Sequence, residues 1–241
     1  MSPYLAEFVG TLILIVLGNG VVANVVLPQT KGNDSGWIVI TAGWGLAVTV
    51  AVYGVFSVSG AHLNPAVTIG LAATNDFAWS MVPAYVLAQV LGAFMGAVLV
   101  WLCYRQHFEA TDDEGKILAT FSTAPAIRST IDNVICEALA TAVFVFGVRS
   151  VLNPNNLLEV HGFDAGLGPL LVGLVVFSIG ISLGGPTGYA INPARDLGPR
   201  IAHQLLPISK KGNSDWGYAW VPIVGPIIGS VVGGLAYSVL F

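Results

Sequence analysis

Charged residues are scarce. Only 9% of the 241 residues are Asp, Glu, Lys or Arg, where a soluble domain carries about 25%. So little charge cannot coat a water-bathed surface, which excludes a soluble enzyme and a disordered chain. Nine Lys and Arg and a net charge of −4 provide no basic stripe, which excludes a nucleic-acid partner. Two cysteines, Cys103 and Cys136, build neither a disulfide framework nor a metal cluster, and both read as buried small residues. No metal ligands stand at helical spacing and no cofactor motif occurs, so no metal and no cofactor is expected. What is abundant is apolar: 55% of the residues are hydrophobic and the mean hydropathy is +0.78. The class left is an integral protein of the lipid bilayer.

With histidine taken as neutral, nothing ionises between Glu7 and Lys31, Asp76 and Arg105, Asp164 and Arg195, or from Trp216 to Phe241. Each run exceeds the roughly 20 residues that cross a bilayer as helix. The start MSPYLAEFVG has no basic region ahead of its apolar run, so a retained helix is expected rather than a cleaved signal peptide. Spans are predicted at 4–27, 37–57, 79–104, 131–152, 167–183 and 220–240. Trp37, Trp79, Trp101 and Trp220 near their ends suit membrane interfaces. Turn and charge signals fall in QTKGNDSG, RQHFEATDDEGK, NPNNLLEVHG and ISKKGNSDWG.

The uncharged stretch from Ser35 to Asn75 is twice too long for one span. Its second part, VSGAHLNPAVTIGLAATN, mixes Gly, His, Asn and Pro with apolar residues, and LGGPTGYAINPARDLGP repeats that break. Irregular backbone at membrane depth is tolerated where it is buried in protein or lines a watery cavity. Two re-entrant segments are therefore predicted, each a loop followed by a half-helix. Asn64-Pro65 and Asn192-Pro193 mark the half-helix starts, with Asn as cap and Pro in the first position.

The chain repeats itself. AEFVGTLILIVLG matches CEALATAVFVFGV, LNPAV matches INPAR, and LGAFMGA matches VGPIIGS. Glu7 and Glu137 lie 130 residues apart, Asn64 and Asn192 128, and Gly92 and Gly225 133. Three spans per half force the halves into opposite orientations, and inverted repeats place a working site at midplane, at discontinuous helices. One channel domain over 1–241 is expected, with halves at about 1–104 and 131–241 joined by loop 105–130. The glycine stripes suit close helix packing within or between subunits. Glu7 and Glu137, buried and symmetric, are expected to accept N–H bonds from the re-entrant loops. His62 is expected to brace its own loop rather than bind a metal.

Two Asn-Pro-Ala motifs, in GAHLNPAVTIG and GYAINPARD, each with a Glu in the first span of its half, resemble the major intrinsic proteins, the aquaporins and aquaglyceroporins. The resemblance covers nearly the whole chain. It implies an all-α membrane protein of six spans and two half-helices in two inverted repeats, one pore per subunit and a homotetramer. It implies a selectivity filter of Trp44, Gly180, Tyr189 and Arg195, similar to the glycerol-facilitator version. Gly180 leaves room, Trp44 and Tyr189 form an apolar corner, and Arg195 donates to hydroxyls. Asn64 and Asn192 mark the pore centre, where two helix N-termini disfavour cations and disrupt a proton wire. Val48, Leu63 and Ile191 form the greasy wall. Carbonyls near Gly60, Ala61, His62, Gly188, Tyr189 and Ala190 act as acceptors. Asp196, Arg200 and Pro222-Ile223 also resemble the glycerol-conducting branch.

One position departs from that branch: Phe is usual where Tyr189 stands, and the added hydroxyl either narrows the filter or adds a polar contact. For Arg195 the blander role is an ion pair with Asp196. The implied function is a passive channel for glycerol and other small uncharged solutes, with water, urea, dihydroxyacetone or undissociated small acids as cargo, excluding ions and protons. The alternatives are a water-selective aquaporin and an ion-coupled transporter. Charge bias opposes the family topology. With both termini cytoplasmic, only Arg149 faces in, while Lys31, Arg105, Lys116, Arg128, Lys210 and Lys211 face out, the reverse of the positive-inside rule. The resemblance is given precedence, so cytoplasmic termini in the cell membrane are expected.

Overall fold

The computed structural model describes residues 1–153 and 166–241. Of the NPNNLLEVHG connection only Asn153 falls within the described residues. Among the described residues the fold is helical throughout, without strands. α1 (Pro3–Val26) starts at Ser2, whose hydroxyl accepts from Leu5 N at 3.3 Å, with Pro3 in the first position. It stops where Leu27 turns extended ahead of Pro28. α2 (Trp37–Ser59) ends at Gly60, whose left-handed backbone (φ +80°) turns the chain back into the protein. α3 (Pro65–Ala73) is the first half-helix, and Asn64 Oδ1 accepts from Ala66 N at 2.8 Å.

A short turn, Trp79–Met81, leads into α4 (Val82–Glu109). α4 runs five residues past the expected end, with a kink at Tyr104. The connecting loop also carries a helix that apolar periodicity did not reveal, α5 (Glu114–Ala119), capped by Asp113 accepting from Lys116 N at 3.1 Å. The second half repeats the order with α6 (Thr130–Leu152), α7 (Gly168–Leu183), half-helix α8 (Pro193–Leu205) and α9 (Val221–Leu240). Among the described residues five helices are long and apolar enough to cross a membrane, and the described part of α7 is 16 residues. Leu46, Leu87, Leu139 and Val232 point outward from them, an apolar exterior that suits lipid.

α1 packs on α4, α6 on α9, and α2 on α7. The glycine stripes serve the first two pairs within the chain. A Cβ on Gly92 would lie 2.3 Å from the Phe8 carbonyl, and one on Gly229 2.1 Å from that of Ala138. Each half-helix also packs on the last helix of the other half, α3 on α9 and α8 on α4. Following the chain through these helices puts both termini at one end. The loops 27–36, 110–129 and 206–219 gather at the other, the loop end. Cys103 is exposed and Cys136 half-buried, and both are free, so neither is the buried residue expected from its apolarity.

Candidate functional site

The two re-entrant turns have the same strained backbone. Ala61 and Leu63 sit at φ +50° and +52°, Tyr189 and Ile191 at +38° and +45°. Positive φ is costly for residues with a Cβ, of order 1–3 kcal/mol each, and persists only when surroundings enforce it. Two buried carboxylates do so. Glu7 accepts from His62 N (3.0 Å), Leu63 N (2.7 Å), Ser59 Oγ (2.6 Å) and Gln89 Nε2 (2.8 Å). Glu137 accepts from Ala190 N (2.9 Å), Ile191 N (2.9 Å) and Thr187 Oγ1 (2.6 Å). Ser59 and Thr187 were missed in the sequence, yet their 128-residue offset, the same as that of Asn64 and Asn192, was the signal for them.

The half-helix starts are cross-braced. Asn64 Nδ2 donates to Ile191 O and Asn192 Nδ2 to Leu63 O, both at 2.8 Å. Each Asn Oδ1 meanwhile caps its own helix, with Asn192 accepting from Ala194 N and Arg195 N. An amide NH₂ has two donors, so each Asn keeps one beyond this brace. His62 Nδ1 lies 3.1 Å from Thr68 Oγ1, and its ring packs against Phe77 and Tyr85.

A narrow cavity of about 80 Å³ runs past this centre. It is lined by Trp44, Val48, Ala61, His62, Leu63, Asn64, Tyr189, Ala190, Ile191, Asn192 and Arg195, all buried except Val48, Ala61 and His62, which are half-buried. It brings together most of the residues the sequence singled out. Leu14, Val52, Val67, Phe144, Val148, Val172 and Val176 complete the wall and were not anticipated. Val52, Ala61, His62, Val67, Val148 and Val172 also border a vestibule of about 780 Å³ that opens toward the termini.

Three expected residues stand elsewhere. Gly60 borders the vestibule. Gly188 lies behind the turn, where an added Cβ would meet Thr123 at 3.3 Å. Gly180 is behind Tyr189: a Cβ there would stand 2.8 Å from Tyr189 Cζ. The room that glycine leaves is thus filled by the phenol ring. The Tyr189 hydroxyl is fully buried and has no hydrogen-bond partner among the described residues, so it offers no polar contact to the cavity.

Arg195 makes no ion pair with Asp196. Its guanidinium carbon lies 4.3 Å from the centroid of the Trp44 ring, and Nη1 donates to Phe121 O at 3.4 Å. Asp196 instead turns away and pairs with Arg200 (Nε to Oδ1, 2.8 Å), both fully buried. It also accepts from Thr123 N and Oγ1, while Arg200 reaches the carbonyls of Thr123, Ser214 and Asp215. His203 extends the network, with Nδ1 2.8 Å from Ser214 Oγ. This cluster pins loops 110–129 and 206–219 onto α8. Lys211 donates to Gln204 O and Leu206 O, the last carbonyls of α8, and burial lowers its pKa from the ordinary lysine range.

Among the described residues no cluster of His, Cys, Asp or Glu could hold a metal ion. The geometry is that of a narrow cavity continuous with a vestibule at one end, with a polar, positively charged corner toward the other. Over residues 1–237 the sequence matches the family described as major intrinsic protein.

The chain belongs to the major intrinsic protein family.

Among its relatives within the family is a probable glycerol uptake facilitator protein of Thermotoga maritima, 58% identical over the full length of both chains. A glycerol uptake facilitator protein of Streptococcus pneumoniae is 55% identical, covering 99% of each chain. Of solved structures, the aquaglyceroporin from Plasmodium falciparum is similar with a TM-score of 0.83 and 32% identity, over 97% of this chain and 93% of that one. As a major intrinsic protein the chain is a multi-pass membrane channel and not an enzyme.

Proposed function

We propose that this chain is a passive channel for glycerol and other small uncharged solutes, which also passes water and excludes ions and protons. The observation that carries this reading is the one-sidedness of the narrow cavity. Arg195 stands against the Trp44 ring with Tyr189 beside them, Asn64, Asn192 and His62 supply the other polar side chains, and Phe144 and aliphatic side chains fill the rest of the wall. A polyol has a hydroxylated edge and a carbon edge. The guanidinium carries five N–H donors, of which the protein engages one at 3.4 Å. Trp44, Tyr189, Val48, Leu63 and Ile191 receive the carbon edge.

In this reading Trp44, Gly180, Tyr189 and Arg195 form the filter, with Gly180 acting through the ring it accommodates. Backbone acceptors come from Ala61, His62, Tyr189 and Ala190. At the centre, the N-termini of α3 and α8 each present roughly half a positive charge. Together with the free N–H of Asn64 and Asn192 they orient a passing oxygen as an acceptor, repel cations and break a proton wire. The whole chain acts as one unit, its halves 1–104 and 131–241 joined by 105–130, and assembles as a homotetramer with one pore per copy. Urea, dihydroxyacetone and undissociated small acids are further cargo of the right size and neutrality.

Stopped-flow light scattering on proteoliposomes tests the reading. Glycerol, urea and water are to equilibrate faster than in empty vesicles, with no matching proton or sodium leak. Glycerol equilibration no faster than in empty vesicles sinks it. The chain is further placed in the cell membrane with both termini cytoplasmic. An impermeant amine label applied to whole cells is then to reach Lys210 and Lys211, and labelling of that loop only after lysis reverses the orientation.

A further inference from the structure

The ring of Tyr189 rests in a slot whose walls stand outside the passage. Gly180 and Gly184, four residues apart at the end of α7, form its floor. A Cβ on Gly184 would lie 2.5 Å from both Gly180 O and Tyr189 Cδ1 and 2.8 Å from Trp37 Cζ2. Real carbon contacts fall at about 3.5–4.0 Å, so the phenol lies on bare backbone. Trp37, the first residue of α2, closes the slot. Its indole meets the Tyr189 ring edge to face at 5.9 Å and 81°, and its Nε1 donates to Gly180 O at 3.0 Å. The other side of Tyr189 fronts the narrow cavity beside Trp44 and Arg195. Trp37 and Gly184 do not border that cavity.

We propose that Trp37 and Gly184 are positioning residues that set how far the Tyr189 ring stands into the passage, and so set the ratio of polyol to water flux. The proposal depends on the reading of this cavity as the solute filter. Its physical basis is that the floor and the lid of the slot leave the ring one direction to yield, toward the lumen. A methyl group on residue 184 presses on Gly180 O and Trp37 as well as on the ring, and the ring, the one of the three that borders the cavity, has to move by about 1 Å to restore its own contact. That displacement costs a carbon-bearing solute far more clearance than it costs water. Removing the Trp37 indole does the opposite. It takes away the lid and the donor to Gly180 O, so the ring retreats and longer polyols pass.

The test measures glycerol, four-carbon polyol and water flux in proteoliposomes of the full chain. Gly184→Ala is expected to lower glycerol flux several-fold while water flux falls much less. Trp37→Ala is expected to raise four-carbon polyol flux relative to glycerol. Both effects act through one ring, so they vanish in a Tyr189→Val background: each double variant behaves as Tyr189→Val alone. Trp37 is 42% exposed, so its substitution leaves a foldable chain if Gly184→Ala does not fold. If unmodified protein conducts glycerol but neither variant changes the flux ratios, the slot proposal is wrong. Effects that persist undiminished in the Tyr189→Val background also overturn it. Absence of glycerol flux in the unmodified protein is a separate failure, that of the channel reading itself.

Discussion

Around the re-entrant turns residues 128 apart are equivalent in the two halves, so the ring Trp44, Gly180, Tyr189 and Arg195 has a counterpart toward the other mouth: Val172, Val52, Ala61 and Val67. All four counterparts border both the narrow cavity and the vestibule. The backbone around the two rings is the same device made twice, with a carboxylate holding a strained turn, an Asn capping a half-helix and a Ser or Thr bonded to the carboxylate. The side chains are not duplicated. One ring has an indole, a phenol and a guanidinium, while the other has three valines and an alanine. In the proposed reading the duplicated parts build a passage and the unduplicated parts make it discriminate, at one end only. Asp196 and Arg200, which fasten the loop-end segments, stand where the first half has Thr68 and Ala72.

The largest effect is expected from erasing this difference. Arg195→Val gives the filter the residue of its counterpart, Val67. It removes the fixed cation and the guanidinium donors of the filter, so proton leak through reconstituted vesicles rises and discrimination among neutral solutes falls. Unchanged proton tightness in a pH-sensitive dye assay would move ion exclusion wholly to the Asn64–Asn192 centre.

Asp196→Asn comes next. It leaves Arg200 fully buried without its carboxylate, a change that costs about 3–5 kcal/mol. Thermal denaturation in detergent should show a lower midpoint, and proteolysis should open loops 110–129 and 206–219 first. Thr68→Ala in the first half serves as the comparison and should cost much less.

The two carboxylates allow the same substitution to be made on both sides. Glu137→Gln turns an acceptor into an NH₂ facing buried donors, at about 1–3 kcal/mol for a donor left unpaired. Glu7→Gln is milder, because Gln89 Oε1 has no partner and can accept from the new amide. Glu137→Gln should therefore lose more stability and also shift the polyol-to-water ratio, since its turn carries Tyr189. Equal losses in both variants would mean that Gln89 does not compensate.

Much of this asymmetry was readable before the fold was known. The repeated Asn-Pro, the paired Glu and the offsets gave the half-helices and their partners, because caps and breaks are local and have strict residue preferences. Depth was not readable. Gly180 and Gly188 stand one layer behind the cavity, and nothing in a strand-free turn records which side of the backbone meets the lumen. The Phe121 carbonyl that receives Arg195 comes from a connecting loop, where no periodicity reports long-range packing. Apolarity also failed as a guide to burial for Cys103 and Cys136. In lipid the outward face is as apolar as the core, so hydropathy no longer separates inside from outside.

The smallest effect is expected from removing a single atom of Tyr189, the filter residue whose counterpart is Ala61. The Tyr189 hydroxyl is buried with no partner among the described residues, and its edge of the ring lies over Gly180, away from the cavity. A hydroxyl in that state costs free energy without return, whereas a phenyl ring of the same shape leaves nothing unpaired. Tyr189→Phe should therefore raise the thermal midpoint, by an amount corresponding to about 1 kcal/mol, because the ring keeps its contacts with Trp37 and the glycine floor. A fall in stability would show that the hydroxyl has a partner in the membrane-embedded protein. The filter would then owe part of its polarity to this side chain, and the contrast with Ala61 would be one of chemistry as well as shape.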